Sequence, residues 1–499
     1  MINKKRRLGF TIVELVIVIA VIAILAAVLI PTFSNLIKKT KMSVDQQAVR
    51  QMNLILAQEE VNRKIEDISD AIIALRDNGF EANSYRPATV DTNFYWIKSV
   101  NRVVHADDEY NMLYPESSSF DTNVEYSADN WFCLAETFYS ETEFIGGIGT
   151  KEKPYLISNG EQLVNGITTI ESAGHDETVY YSLVSDVELP GNYAFESYNT
   201  YSRVLKLDNA VLDGNGYTID FLNQDYAALI YEMKNSKIEN LKIANNAYTF
   251  AERLVGTNVF EDVDVISGSY NVDASNNYGA YAIFDFGDVK FLNCDNNMNV
   301  INTTNLYQNA YNAAFIGQIV KNDCVSMQTG DVITNAGEYL TKEEFENSEL
   351  TEDDVWLRAP WGSYNACHPT NRRTVNIEFT NCSYSGILQS SRAAMFIGNS
   401  NMGVDITLTV NNCTNKGTIQ ATYQKYNNYD LDWYHYESSD DEWSNPDVVN
   451  YFSANGIGNG ERAQSFTLIL DGVTYREYEV KNAKVQEADG GQFIFAPLN

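Results

Sequence analysis

Residues 4–31 read KKRRLGFTIVELVIVIAVIAILAAVLIP. Lys4, Lys5, Arg6 and Arg7 precede Gly9, and an apolar run of 21 residues follows from Phe10 to Ile30. Only Thr11 and Glu14 interrupt it. As a helix, a run of this length spans the hydrocarbon of a bilayer. A carboxylate placed centrally in such a span costs about 3 kcal/mol, so Glu14 implies a use for its charge. An ordinary secretory signal has a shorter apolar region with its cleavage site after it. Here the small residue suited to cleavage, Gly9, stands before the run. The plainer reading is an N-terminal anchor with an incidental glutamate.

The segment closely resembles the class III signal of type IV prepilins and pseudopilins. Gly9, Phe10, Thr11, Glu14 and Pro31 keep the register of that pattern. The resemblance implies that a prepilin peptidase cuts between Gly9 and Phe10 and methylates the new amine on Phe10. It gives Glu14 an assembly role, setting the axial register of a subunit entering a filament. It also makes Pro31 a helix kink. It covers about fifty residues. Lys38, Lys39 and Lys41 nearly balance the leader cations, so charge alone does not orient the span, and an outward-facing body rests on the resemblance.

Past Pro31, Val44, Ala48, Met52, Ile55 and Leu56 recur at helical spacing. One long helix over 10–62 is expected, first for membrane and filament core, then packed on a small head. Residues 66–78 read as a short helix that Gly79 ends. Phe94–Ile97 and Arg102–His105, four residues apart, read as a hairpin. The expected division is a leader (1–9), the long helix (10–62), a pilin-like head (63–115), a connector (116–148) and a large surface domain (149–499).

From Gly149 the pattern changes. GTKEKPYLISNGEQLVNGI (149–167) reads as a strand, a turn at Asn159-Gly160, and a helix carrying Leu163, Val164 and Ile167. It resembles the opening of secreted bacterial parallel β-helices, where such an element caps one end of the stack. Period-2 runs follow at 211–221, 237–243, 259–268, 289–294, 375–382 and 406–413. Three of these end in Asn-Cys, at Cys294, Cys382 and Cys413. Long insertions at 325–374 and 421–452 separate irregular repeats, as in stacked strands with variable loops. The expected fold class is α+β: a long N-terminal helix with a small β head, then a large mainly-β domain, a right-handed parallel β-helix. A β-sandwich or a row of separate modules is the alternative.

The chain has 35 Lys+Arg against 67 Asp+Glu, a net charge of −32. Loss of the leader cations leaves 31 against 67, or −36. That acidity excludes a nucleic-acid partner, which needs basic patches. The 12% aromatic content excludes a disordered acidic tail. Six cysteines without a CxxC pair make neither a disulfide scaffold nor a zinc site. The Asn-Cys repeats read as stacked small buried side chains beside an asparagine ladder. His105, His175, His368 and His435 lack any metal-ligand or triad pattern, and no HExxH, GxSxG or Walker loop occurs. The chain is therefore read as a non-enzyme.

The insertion YQKYNNYDLDWYHYESSDDEWSNPD (423–447) is the binding candidate, through Tyr429, Trp433, Tyr434, Tyr436 and Trp443. Its acidic run, Asp440, Asp441 and Glu442, is the candidate for Ca²⁺; no other cofactor is indicated. An ordinary solvated loop explains the same residues. The insertion at 340–361 reads as partly helical.

The chain is thus expected to be a type IV pilus-associated minor or tip pilin. Prepilin peptidase and other pilin subunits are its expected partners, and a host or surface glycan or protein its ligand. Its precursor would sit in the inner or cytoplasmic membrane, and the assembled subunit in an extracellular pilus at the cell surface. The β-solenoid would serve adhesion or spacing. The alternatives are a membrane-tethered polysaccharide-active β-helix enzyme and a pseudopilin of a secretion or DNA-uptake system.

Overall fold

A computed structural model describes residues 12–80, 82–120, 124–140, 143–189, 205–223, 228–272, 281–284, 286–302, 311–319, 325–359, 364–366, 373–390, 392–400, 404–421, 466–476, 483–487 and 493–497. The chain divides into two units, Met1–Ser140 and Glu141–Asn499.

In the first unit one helix, α1, runs from Ile12 to Glu59 and continues through Pro31. The proline removes one amide donor and leaves the carbonyl four residues earlier without its helical partner. Helix α2 (Ile68–Asp77) begins at Asp67, whose carboxylate accepts the Asp70 amide at 3.0 Å. It ends in a Schellman turn: Phe80 N–H reaches Leu75 O, Gly79 N–H reaches Arg76 O, and Gly79 takes φ +89°.

Four antiparallel strands form the head sheet, in the order β3-β2-β1-β4. They are β1 (Thr92–Ile97), β2 (Arg102–Asp107), β3 (Met112–Tyr114) and β4 (Trp131–Cys133). The expected hairpin is β1–β2, closed by a short helical turn and by Asn101 at φ +47°. Asn101 also accepts the Trp96 indole N–H at 2.9 Å. Strand β4 corrects the expected connector, because residues 131–133 pair with β1. Trp131 and Cys133 bury themselves with Tyr95 and Ile97 on one sheet face. Three residues are too few to show a period-2 pattern.

The second unit is mainly β with many parallel strands. Its dominant feature is a register column running Tyr155, Tyr181, Leu212, Ile238, Phe260, Phe291, Phe379, Val410 and Leu470. Each is aligned with the next across a parallel pair, and all but Tyr155 are buried. The rings of Phe260, Phe291 and Phe379 stack with centroids 5.0 and 4.7 Å apart and planes within 4°. A second column runs Val187, Ile219, Ile243, Val265, Asn296, Tyr384 and Asn415. A third runs Leu205, Ile230, Ala251, Ala282, Ile316 and Ile397. All three columns contribute to one continuous apolar core.

At the start of this unit Tyr155–Ile157 is a strand, and a helical segment over 162–173 sends Leu163, Val164 and Ile167 into that core. The 340–361 insertion is helical at Lys342–Glu346, opened by a capping box between Thr341 and Glu344. Residues 332–334, 339–340 and 355–358 form a three-stranded antiparallel sheet with a small core of Met327, Ile333 and Ala359.

Candidate functional site

Helix α1 has two chemically different halves. Its N-terminal half is long and apolar enough to cross a membrane, and none of the most apolar stretch is buried. Ile12 is 81% exposed and Ile30 67%. An apolar surface this continuous marks a membrane or partner contact. The backbone of Glu14 lies in the first described turn of this helix, and Pro31 lies near its midpoint. Gly9 and Phe10 fall outside the described residues.

The C-terminal half is held by the head. Asp45, Val49, Met52 and Leu56 are buried at spacings of four, three and four residues. This corrects the stripe expected from hydropathy, since Val44 is 52% exposed and Asp45 1%. The Asp45 carboxylate explains the shift. It accepts the amides of Ala88 at 2.6 Å and Thr89 at 2.9 Å, so the acid is buried with its partners supplied. Asn53 adds a second tie, donating to Val103 O at 2.8 Å and accepting from Val103 N–H at 2.7 Å. The amide thus stands in for a neighbouring strand beside β2.

His105 is fully buried under this helix. Its Nε2 lies 2.7 Å from Thr92 Oγ1 and 3.9 Å from the Asp45 carboxylate. The Thr92 hydroxyl donates to Thr89 O at 2.8 Å, so it accepts from His105, which fixes the proton on Nε2. Nδ1 has no partner. Burial holds the imidazole pKa below its ordinary value, and Asp45 opposes that shift only in part. His105 was read from the sequence only as a strand residue without a metal-ligand or triad pattern, and Asp45 and Asn53 were missed by sequence reasoning. Their one signal was an acid and an amide on the apolar stripe of a helix.

The repeat cysteines occupy one buried row in the second unit. Cys294, Cys382 and Cys413 are free thiols, and Cys382 makes hydrogen-bond contact with the other two. Burial pushes the Cys382 thiol far above its usual range. The Cys413 thiol rises chiefly through its contact with Cys382 and then through burial. Beside them Asn293, Asn381 and Asn412 take φ of +54°, +56° and +49°. Asn412 Nδ2 donates to Asn381 Oδ1 at 2.8 Å, and Asn381 Nδ2 to Asn293 Oδ1 at 3.0 Å. Asparagine tolerates the left-handed corner, and its amide then bonds to the equivalent corner of the next strand. The row is packing. Among the described residues no group of three or more His, Cys, Asp or Glu side chains could hold a metal.

Tyr429, Trp433, Tyr434, Tyr436 and Trp443, with Asp440, Asp441 and Glu442, lie outside the described residues.

Residues 4–30 match the prokaryotic N-terminal methylation motif. Searches of curated proteins and of solved structures returned no match. The motif contains Gly9, Phe10 and Glu14 and coincides with the exposed half of α1. It points to a type IV pilin-like or pseudopilin-like precursor processed by prepilin peptidase. The motif and the apolar helix together fit a membrane-anchored precursor.

Proposed function

We propose that this chain is the precursor of a minor or tip subunit of a type IV pilus, carrying a large display domain. The observation behind this reading is the methylation motif at 4–30, in register with an apolar helix that stays exposed while its second half is fixed to a head. Such a helix can exchange lipid for other subunits without disturbing the head. The register columns of the second unit support a right-handed parallel β-helix, a rigid spacer or adhesive stem. A body as large as residues 141–499 would crowd its neighbours if repeated along a filament, which favours a tip or rare position.

In this reading the chain is no enzyme, and its display domain meets a surface glycan or protein. The aromatic insertion at 423–447 supplies the contact, and Asp440, Asp441 and Glu442 are the groups to test with Ca²⁺. N-terminal analysis of protein from cells should find N-methylated Phe10. Labelled fibres should carry the subunit at tips or sparsely. An uncut N-terminus overturns the precursor reading, and even labelling along the fibre overturns the tip assignment.

A further inference from the structure

An open groove of about 810 Å³ lies within the first unit, between α1 and the turn Thr89–Asp91. Leu29, Ile30, Phe33 and Ile37 form its apolar wall, and Lys38 and Lys41 its upper end. These residues continue, toward the N-terminus, the helix face that Asp45, Val49, Met52 and Leu56 bury against the head. The head stops at Asp45, but the face does not. Val90, 70% exposed, overhangs it as a ledge, and Asp91 is the one carboxylate among the lining residues.

The position of this groove along the helix matters. A hydrocarbon core takes about 20 helical residues. Counted from Phe10, it ends near Ile30. Leu29, Ile30 and Phe33 then stand at its edge, and Lys38 and Lys41 two to three turns beyond, just above the headgroup layer. Lysine stems reach back along apolar surface while keeping the ammonium in water. Neither lysine has a carboxylate within ion-pairing distance among the described residues.

We propose that this groove seats one anionic phospholipid from the head-side leaflet of the membrane that anchors the precursor. Its acyl chain lies along Leu29, Ile30, Phe33 and Ile37, and its phosphate sits between Lys38 and Lys41 under the Thr89–Asp91 ledge. The match is one of charge and polarity order: an apolar wall that rises from the hydrocarbon edge, topped by two cations unpaired among the described residues. The proposal rests on the membrane-anchored precursor reading. The lipid would hold the head at the membrane surface until the helix leaves for a filament.

The test uses the full chain in nanodiscs of equal parts phosphatidylglycerol and phosphatidylcholine, followed by native mass spectrometry. One phosphatidylglycerol should stay bound to the wild type in preference to phosphatidylcholine. Lys38→Gln and Lys41→Gln should each weaken that retention about fivefold, and together about thirtyfold. Lys39→Gln is the control, since Lys39 points about 170° away from the middle of the groove face. Equal loss with Lys39→Gln would show diffuse attraction and overturn the site. So would equal retention of phosphatidylcholine, no retained lipid, or a second copy of the chain in its place. Carbonate extraction of the same variants from cells separates the two readings: extraction of the wild type overturns the anchor, whereas retention without lipid selectivity overturns only the groove.

Discussion

The Asp45 carboxylate lies 3.9 Å from His105 Nε2 while its oxygens hold the amides of Ala88 and Thr89. This pairing links three pieces of chain distant in sequence: the long helix, the turn after residue 87 and the central hairpin. A buried carboxylate normally carries a heavy desolvation cost, offset here by two charge-assisted hydrogen bonds to backbone. The histidine adds no countercharge at neutral pH, because its one proton serves Thr92 and a second would meet no acceptor at Nδ1.

The head should therefore loosen in mild acid. His105 has a depressed pKa in the fold and an ordinary value near 6.5 when unfolded. Between the two, the unfolded chain binds a proton that the native head refuses. Stability should fall as pH drops below about 6.5 and level off below the native pKa. Hydrogen exchange of the β1 and β2 amides in the full chain reads this directly. His105→Phe should remove the slope, and a slope that survives would assign it elsewhere.

Asp45→Ala should cost about 1–3 kcal/mol, since it removes the acceptor of two part-buried amides, Ala88 and Thr89. Asp45→Asn should cost less, because one amide oxygen still accepts. The same hydrogen-exchange measurement ranks them, and equal protection in wild type and Asp45→Ala would sink the docking account.

How far the fold could be read depended on whether a residue announced its environment. The Phe10–Ile30 run did, because only lipid or partner helices tolerate it. The Phe94–Ile97 and Arg102–His105 pair did, through strand composition and a four-residue gap. Gly79 did, through the backbone conformation only glycine favours at a helix end. Asp45 did not, because its burial depends on amides supplied 43 and 44 residues later. Trp131–Cys133 did not, because a three-residue strand has no measurable period. The alignment of Phe291 with Phe379 across 88 residues was visible only as similar repeats, since the insertion between them folds on its own small core.

The aromatic stack gives a strong prediction for the second unit. Phe291 lies between Phe260 and Phe379, with parallel rings on both sides and no solvent access. Phe291→Ala should cost about 3–5 kcal/mol, from lost transfer energy and the cavity left behind. Phe291→Leu should cost markedly less by keeping most of the volume. Differential scanning calorimetry of the full chain should show a lowered transition for the alanine variant, and an unshifted one would mean the column does not hold the unit together.

The asparagine corners separate conformation from hydrogen bonding. Asn381→Gly keeps the positive φ free of strain but loses both ladder bonds, whereas Asn381→Ala loses both and adds strain. Glycine should be the milder change, with alanine lower by about 1 kcal/mol beyond it. Equal effects in urea unfolding would mean that the left-handed corner carries no cost here.

Glu14 decides whether the N-terminal helix is an assembly device or only an anchor. Cleavage after Gly9 would free an amine on Phe10, four residues and about one helical turn in sequence from the Glu14 carboxylate. Opposite charges at that spacing relieve the cost of each in the membrane, and a neighbour's amine could serve equally well. Glu14→Ala should leave processing intact, since the peptidase acts at Gly9–Phe10, yet block incorporation into fibres. Gly9→Ala should impair processing far less than a larger residue, because the cleavage site needs a small side chain. Mass spectrometry of the mature N-terminus and immunogold labelling of sheared fibres read the two steps separately. Processed Glu14→Ala protein found in fibres at wild-type levels would reduce the carboxylate to an incidental charge.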